Sequence, residues 1–220
     1  MSNAIEILKE ISSQVAVCEQ CKLYHSRKHS VPGEGPHDAE ILFIGEGPGF
    51  YENEQGRPFV GQAGKFLDEL LVTAGFTRTS VFITNVVKCR PPENRDPELD
   101  ELTACSIYLD KQIETINPHV IVTLGRISMA KFLPNARISL VHGQPSWVNE
   151  RLVVPMYHPA AALHQPSLKS TIITDFSNLP KAIEQAKRIK PRNEASENIE
   201  KEEDNTQPKI EPPAEQLSLF

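Results

Sequence analysis

The 220-residue chain holds four cysteines, and their spacing is its strongest chemical signal. Cys18 and Cys21 form a CxxC pair, while Cys89 and Cys105 flank "RPPENRDPELDELTA". Four thiolates complete a shell for zinc or for an iron–sulfur cluster, and their number does not distinguish the two. Cys105 alone reads as a packed core thiol; the CxxC turns the reading toward metal or cluster binding. A second set of groups lies in "GEGPGFYENEQGRPFVGQAG", residues 45–64. Its glycines let backbone approach a ligand closely, Pro48 stiffens the turn, and Glu46 and Glu52 supply carboxylates. GxGxxG does not occur, nor does GxxxxGK followed by Ser or Thr, so a dinucleotide enzyme or a phosphate-loop ATPase lacks support.

The elements that must position these groups are legible as an alternation. "ILFIG", "VFITNVV", "VIVTLG" and "LVVPMYH" are short branched apolar runs separated by segments of helical spacing. This predicts an α/β fold, a parallel sheet with helices on both faces. Phe66, Leu67, Leu70 and Leu71 make one helical stripe, with Gly75 as its stop. Leu102, Leu109, Ile113 and Ile116 make another, with Asp96 as N-cap and Pro97 at the first helical position. Further helices are expected over 4–17 and 175–190. Open α/β folds place ligands at the carboxyl edge of the sheet. Three strand ends bring Glu46, Asn85 and His158 to that edge. An amide within a strand, as at Asn85, is unfavourable without a partner, and Pro159 fixes a loop directly after His158.

The net charge of −6 is unevenly spread: residues 191–220 carry 3 Lys/Arg against 8 Asp/Glu, while residues 1–190 carry 20 against 21. A near-neutral folded part is compatible with a local phosphate-binding face. Residues 1–190 are expected to form one domain. Residues 191–215 are proline-rich and acidic and predict a disordered linker, after which Gln216, Leu217, Ser218, Leu219 and Phe220 restore apolar side chains. Glu6 and Glu10 stand where a signal peptide needs basic and then apolar residues, and no run approaches the length of a membrane span. A soluble, cytoplasmic protein is the expectation.

Taken together, "GEGPG", "ENEQGRPFVGQAGKFLD", "ITNVVKCRPPENRDP", "NPHVIVTLG", "YHPAA" and the order of the cysteines resemble family four of the uracil-DNA glycosylases, the iron–sulfur type of bacteria and archaea. The resemblance spans residues 5–190. It implies a three-layer α/β/α fold around a central four-stranded parallel sheet, and a 4Fe-4S cluster on Cys18, Cys21, Cys89 and Cys105. It further implies that Phe59 stacks on an extruded uracil, that Asn85 reads its Watson–Crick edge, that His158 donates to O2, and that Glu52 sits near C5 and excludes the thymine methyl. The expected activity is hydrolysis of the deoxyuridine N-glycosidic bond in single- or double-stranded DNA by a monomer. The alternative is a noncatalytic iron–sulfur DNA-binding or clamp-tethered adaptor.

Two departures modify the expectation. Sibling glycosylases carry a water-positioning Asp where this chain has Gly47, which leaves Glu46 or the backbone for that task. The loop after His158 reads "PAAALHQ", with Leu163 as its one apolar wedge candidate, which predicts a preference for unpaired or mismatched uracil. Lys88, Arg90 and Arg95 are candidates for phosphate contacts. "QLSLF" resembles the linear motif by which bacterial repair proteins bind the sliding clamp.

Overall fold

The branched runs form strands because each buries both of its faces. A computed structural model describes residues 2–189; the expected linker 191–215 and the terminal Gln216–Phe220 lie outside them. The strands are β1 Ile41–Gly45, β2 Phe82–Asn85, β3 Val120–Leu124, β4 Ser146–Val148 and β5 Arg151–Met156, in the order β2-β1-β3-β5-β4. The first three and β5 are parallel. β4 adds a fifth, antiparallel edge strand that the sequence reading lacked. It is one arm of a hairpin closed at Asn149, whose φ is 53°, and three residues carry too little alternation to read as a strand.

Side chains alternate across the sheet, and each set has its own helices. Phe43, Val122 and Val154 face α3 Gln62–Thr73 and α8 Leu168–Ile189, packing with Leu67, Leu70 and Phe176. Leu42, Ile121 and Val153 face α4 Leu99–Ile116, packing with Leu109 and Ile113. Along that same side, α1 Ser2–Val17 lies against α4. The result is a three-layer α/β/α arrangement.

Two helix starts differ from the sequence reading. α4 begins at Leu99, because the Glu98 N–H is met by the carboxylate of Glu101 at 2.8 Å; Asp96 instead pairs with Arg126. α8 begins at Leu168, seven residues early. The β-branched run Thr171–Thr174 lowers helix propensity, but Ile172, Phe176, Leu179 and Ile183 are buried on one face, and packing wins. The described residues contain no helix long and apolar enough to cross a membrane.

Candidate active site

β1 and β3 are neighbours, and the chain leaves β1 toward β2 but leaves β3 toward β5 and β4, in the opposite direction, which opens a crevice at their carboxyl ends. Gly45 pairs in register with Asn85 at that edge. A side chain at Gly45 would meet Asn85 Oδ1 at 2.4 Å and the Phe59 ring at 2.6 Å, so glycine here is what lets an amide and an aromatic face share one floor. Asn85 is buried, and its Oδ1 has no hydrogen-bond partner. A buried acceptor left unpaired costs roughly 1–3 kcal/mol.

Phe59 forms the wall. Its ring lies 5.5 Å from that of His158, nearly parallel at 28°. The residue adopts a φ of 52°, uncommon for a bulky side chain, and the turn is held from three directions. A side chain at Gly64 would collide with the Phe59 carbonyl at 1.9 Å. Arg78 donates to the carbonyl oxygens of Phe59, at 3.1 Å, and of Pro58. The same guanidinium is fixed by Glu34 at 2.6 Å and Asp68 at 2.9 Å. Sequence reasoning missed Arg78 and Glu34, because nothing local marks them as partners of a turn about 20 residues away in either direction.

Glu52 is a second brace. Its carboxylate accepts from the Val60, Gly61 and Gly49 amides at 2.8, 2.9 and 3.1 Å. It therefore ties the loop after β1 to the segment behind Phe59. It also lies close enough to His158 to favour that ring's charged form, against the dominant effect of burial, which brings the imidazole down to about 4. The ring is neutral at pH 7. Its Nδ1 lies 3.1 Å from the donating Ala160 N–H, which assigns the proton to Nε2. Gly125, at φ +95°, lets the end of β3 approach the His158 ring.

Glu46 follows β1 directly. Burial, then the neighbouring carboxylate of Asp96, push its carboxyl up to about 7, with Arg126 opposing. Gly47 lies against Val87 and Pro91, and a side chain there would meet Val87 at 2.9 Å. Leu163, on the short helix α7 Ala161–His164, is 48% exposed. One expected phosphate contact is corrected. Lys88 is fully buried and donates to Thr84, Gln112 and the Asn85 carbonyl at 2.6, 2.7 and 2.8 Å. Arg95 forms a two-pronged pair with Glu101. Arg90 is half-buried, its guanidinium over the Phe50 ring.

The four cysteines come from three segments to line one pocket, shared with Val15, Leu23 and Tyr108. Cys18 and Cys21 follow α1, Cys89 follows β2 and Cys105 lies within α4. Arg27 donates to the Cys18 carbonyl at 2.7 Å and approaches Cys89 Sγ at 3.6 Å, and the Lys88 amide donates to Cys105 Sγ at 3.3 Å. Burial raises the Cys21 and Cys89 thiols and lifts Cys105 to about 11. Such walls keep thiolates only beside a cationic centre. Among the described residues no three His, Cys, Asp or Glu side chains gather tightly enough to hold a single metal ion.

Comparison with known proteins gives a consistent picture. Residues 32–178 match the model of the uracil DNA glycosylase superfamily. A type-4 uracil-DNA glycosylase of Sulfurisphaera tokodaii is 50% identical over 186 residues, covering 80% of this chain and 84% of that protein. One from Thermotoga maritima is 43% identical, covering 78% and 92%. A type-5 uracil-DNA glycosylase of Thermus thermophilus is 36% identical over a shorter stretch, covering 47% and 53%.

Proposed function

The chain belongs to the uracil DNA glycosylase superfamily and to its type-4 branch, and from that premise we propose how its pocket excises uracil from DNA. The activity is hydrolysis of the N-glycosidic bond, giving an abasic site and free uracil. The observation that carries the mechanism is the unpartnered Asn85 Oδ1 beside Gly45 and Phe59. An extruded uracil lying on Phe59 offers N3–H to that acceptor and O4 to the amide NH2; cytosine inverts the pattern and leaves both ends unpaired. Glu52, immobilised by three amides, borders C5 and leaves no room for the thymine methyl.

Bond cleavage builds negative charge on the leaving base and positive charge on the sugar. The Nε2–H of neutral His158 donates to O2, and this interaction strengthens as charge develops. Glu46, in its carboxylate form, orients the water and faces the cationic sugar. Lysine-mediated strand cleavage is not expected, since Lys88, whose side chain meets the Asn85 carbonyl, is enclosed by that carbonyl, Thr84 and Gln112.

Cys18, Cys21, Cys89 and Cys105 are proposed to hold a 4Fe-4S cluster: thiols spread around a cavity fit a polynuclear group better than one ion. When bound, it supplies a cross-link between the N-terminal segment, β2 and α4. The terminal Gln216–Phe220 is proposed to bind the bacterial sliding clamp, with residues 191–215 as its tether; unchanged clamp affinity after deleting Gln216–Phe220 overturns this.

Single-turnover excision of a single-stranded oligonucleotide with one uracil, read by alkaline cleavage, tests the activity. Wild type cleaves and Asn85→Ala does not. Equal cleavage by both removes the assignment of Asn85, and no cleavage by cluster-loaded wild type removes the reading of this pocket.

A further inference from the structure

Directly beside the pocket, the chain exposes two neighbouring aromatic rings. Phe50 and Tyr51 open the short helix α2 Phe50–Gln55 and remain 51% and 56% exposed. Their rings meet edge to face, 5.4 Å apart at 84°. The Arg90 guanidinium lies 5.3 Å over Phe50 and is held there by Nε donation to Asn94 at 2.9 Å.

The pair is rigidly mounted. On the far side of α2, Asn53 is buried; its Oδ1 accepts the Lys28 N–H at 3.0 Å and its carbonyl the His29 N–H at 3.1 Å. Gly56 closes the helix at φ +69°. Tyr51 packs over Gly61, where an added side chain would meet its ring at 3.3 Å; Gly61 follows Phe59 by two positions. The platform therefore shares one loop system with the wall of the pocket.

A solvent-facing aromatic pair next to a fixed cation, continuous with a base-binding pocket, has the chemistry of a single-strand binding surface. Aromatic faces stack bases of any sequence, and a neighbouring cation meets the phosphate that joins them. We propose that Phe50, Tyr51 and Arg90 form a stacking platform for the base adjoining the extruded uracil on an unpaired strand. The proposal rests on the pocket reading above. In a duplex the adjoining base stays in its stack and cannot reach the platform, so the contact favours unpaired substrate, in the same direction as the small wedge at Leu163.

The test measures dissociation constants of the full-length, cluster-loaded protein for single-stranded uracil oligonucleotides by fluorescence anisotropy. Wild type is compared with a Phe50→Ser/Tyr51→Ser double variant, whose positions are exposed. Each binds oligonucleotides with adenine next to uracil and with an abasic spacer replacing that adenine, on the 5′ or the 3′ side. Stacking of one base predicts that the variant binds the adenine-flanked strand about 10-fold more weakly. On one side, the spacer weakens wild type by a similar factor and leaves the variant unchanged. An equal effect of the variant on spacer and adenine strands on both sides, or no effect at all, overturns the platform. Excision is followed on the same samples. The predicted binding pattern without excision sinks the pocket reading and leaves the platform standing, whereas excision with a flat binding pattern sinks the platform alone.

Discussion

The backbone N–H of Ala160 donates to Nδ1 of His158 at 3.1 Å, and this one bond decides which way the imidazole can act. With Nδ1 occupied as acceptor, only Nε2 is free to donate. The Ala160 amide follows Pro159, so the proline that ends β5's extension also delivers the donor that sets the tautomer. His158→Ala is expected to lower the single-turnover rate by ~100- to 1000-fold, the range for loss of one leaving-group donor. Because burial holds the ring to about 4, the wild-type rate should carry no histidine inflection between about pH 5 and 8. An inflection near 6.5 that vanishes in His158→Ala contradicts this.

Glu46 is expected to supply the pH dependence instead. Its carboxyl titrates at about 7, so excision should rise as pH increases through that value, and Glu46→Gln should be slower and flat. Stability runs the other way. A carboxyl whose folded value lies above its ordinary 4.5 contributes stability that is complete below 4.5 and lost as pH rises through about 7. Thermal midpoints should accordingly show Glu46→Gln gaining on wild type between pH 5 and 8. Parallel stability curves for the two proteins over that window overturn the assignment.

Asn85→Ala separates function from stability. Its buried Oδ1 has no partner to lose, so the substitution should abolish excision while moving the thermal midpoint by less than about 4 °C, roughly 1 kcal/mol for a chain of this size. A large drop in the midpoint points to a structural amide.

Arg78→Met tests the brace on Phe59. The guanidinium reaches Pro58, Phe59, Glu34 and Asp68, and its removal leaves a strained turn and a part-buried Glu34 held by Arg57 alone. Denaturant unfolding should report a loss of about 1–3 kcal/mol. In kinetics, half-saturation should rise more than the maximal rate falls, because the wall loosens while the Asn85 and His158 groups stay. A pure loss of maximal rate argues against a positioning role.

Cys89→Ser tests the cysteine cavity. Loss of one of four ligands should remove the broad visible absorbance of a 4Fe-4S cluster and lower stability and excision together. A cluster-free protein as stable and as active as wild type refutes a bracing role.

The sheet, its parallel strands and the carboxyl edge were legible because each rests on a local pattern: branched apolar runs, helical stripes, and glycines at strand ends. β4 was illegible at three residues, and the start of α8 was masked by Thr171–Thr174, where local propensity and long-range packing disagree. The types that gather at the pocket, Asn85, Phe59, Glu52 and His158, could be picked out individually. Their supports could not. Which amides the Glu52 carboxylate meets, and that Arg78 rather than Arg57 reaches Phe59, are decided by how distant segments cross. Lys88 is the clearest instance: a lysine beside two arginine-bearing loops reads as a surface cation, and only the fold reveals Thr84, Gln112 and the Asn85 carbonyl closing around it.

That enclosed lysine makes the segment from Asn85 to Cys89 a strut without slack. Its side chain is pinned to the carbonyl of Asn85, its amide to the sulfur of Cys105, and its neighbour is Cys89 itself. Damage at the cysteine cavity would travel as a displacement of Asn85 rather than as a change in its chemistry. If Asn85 reads uracil as proposed, an amide moved out of register loses that base, and damage at the cysteines should be read first as lost excision.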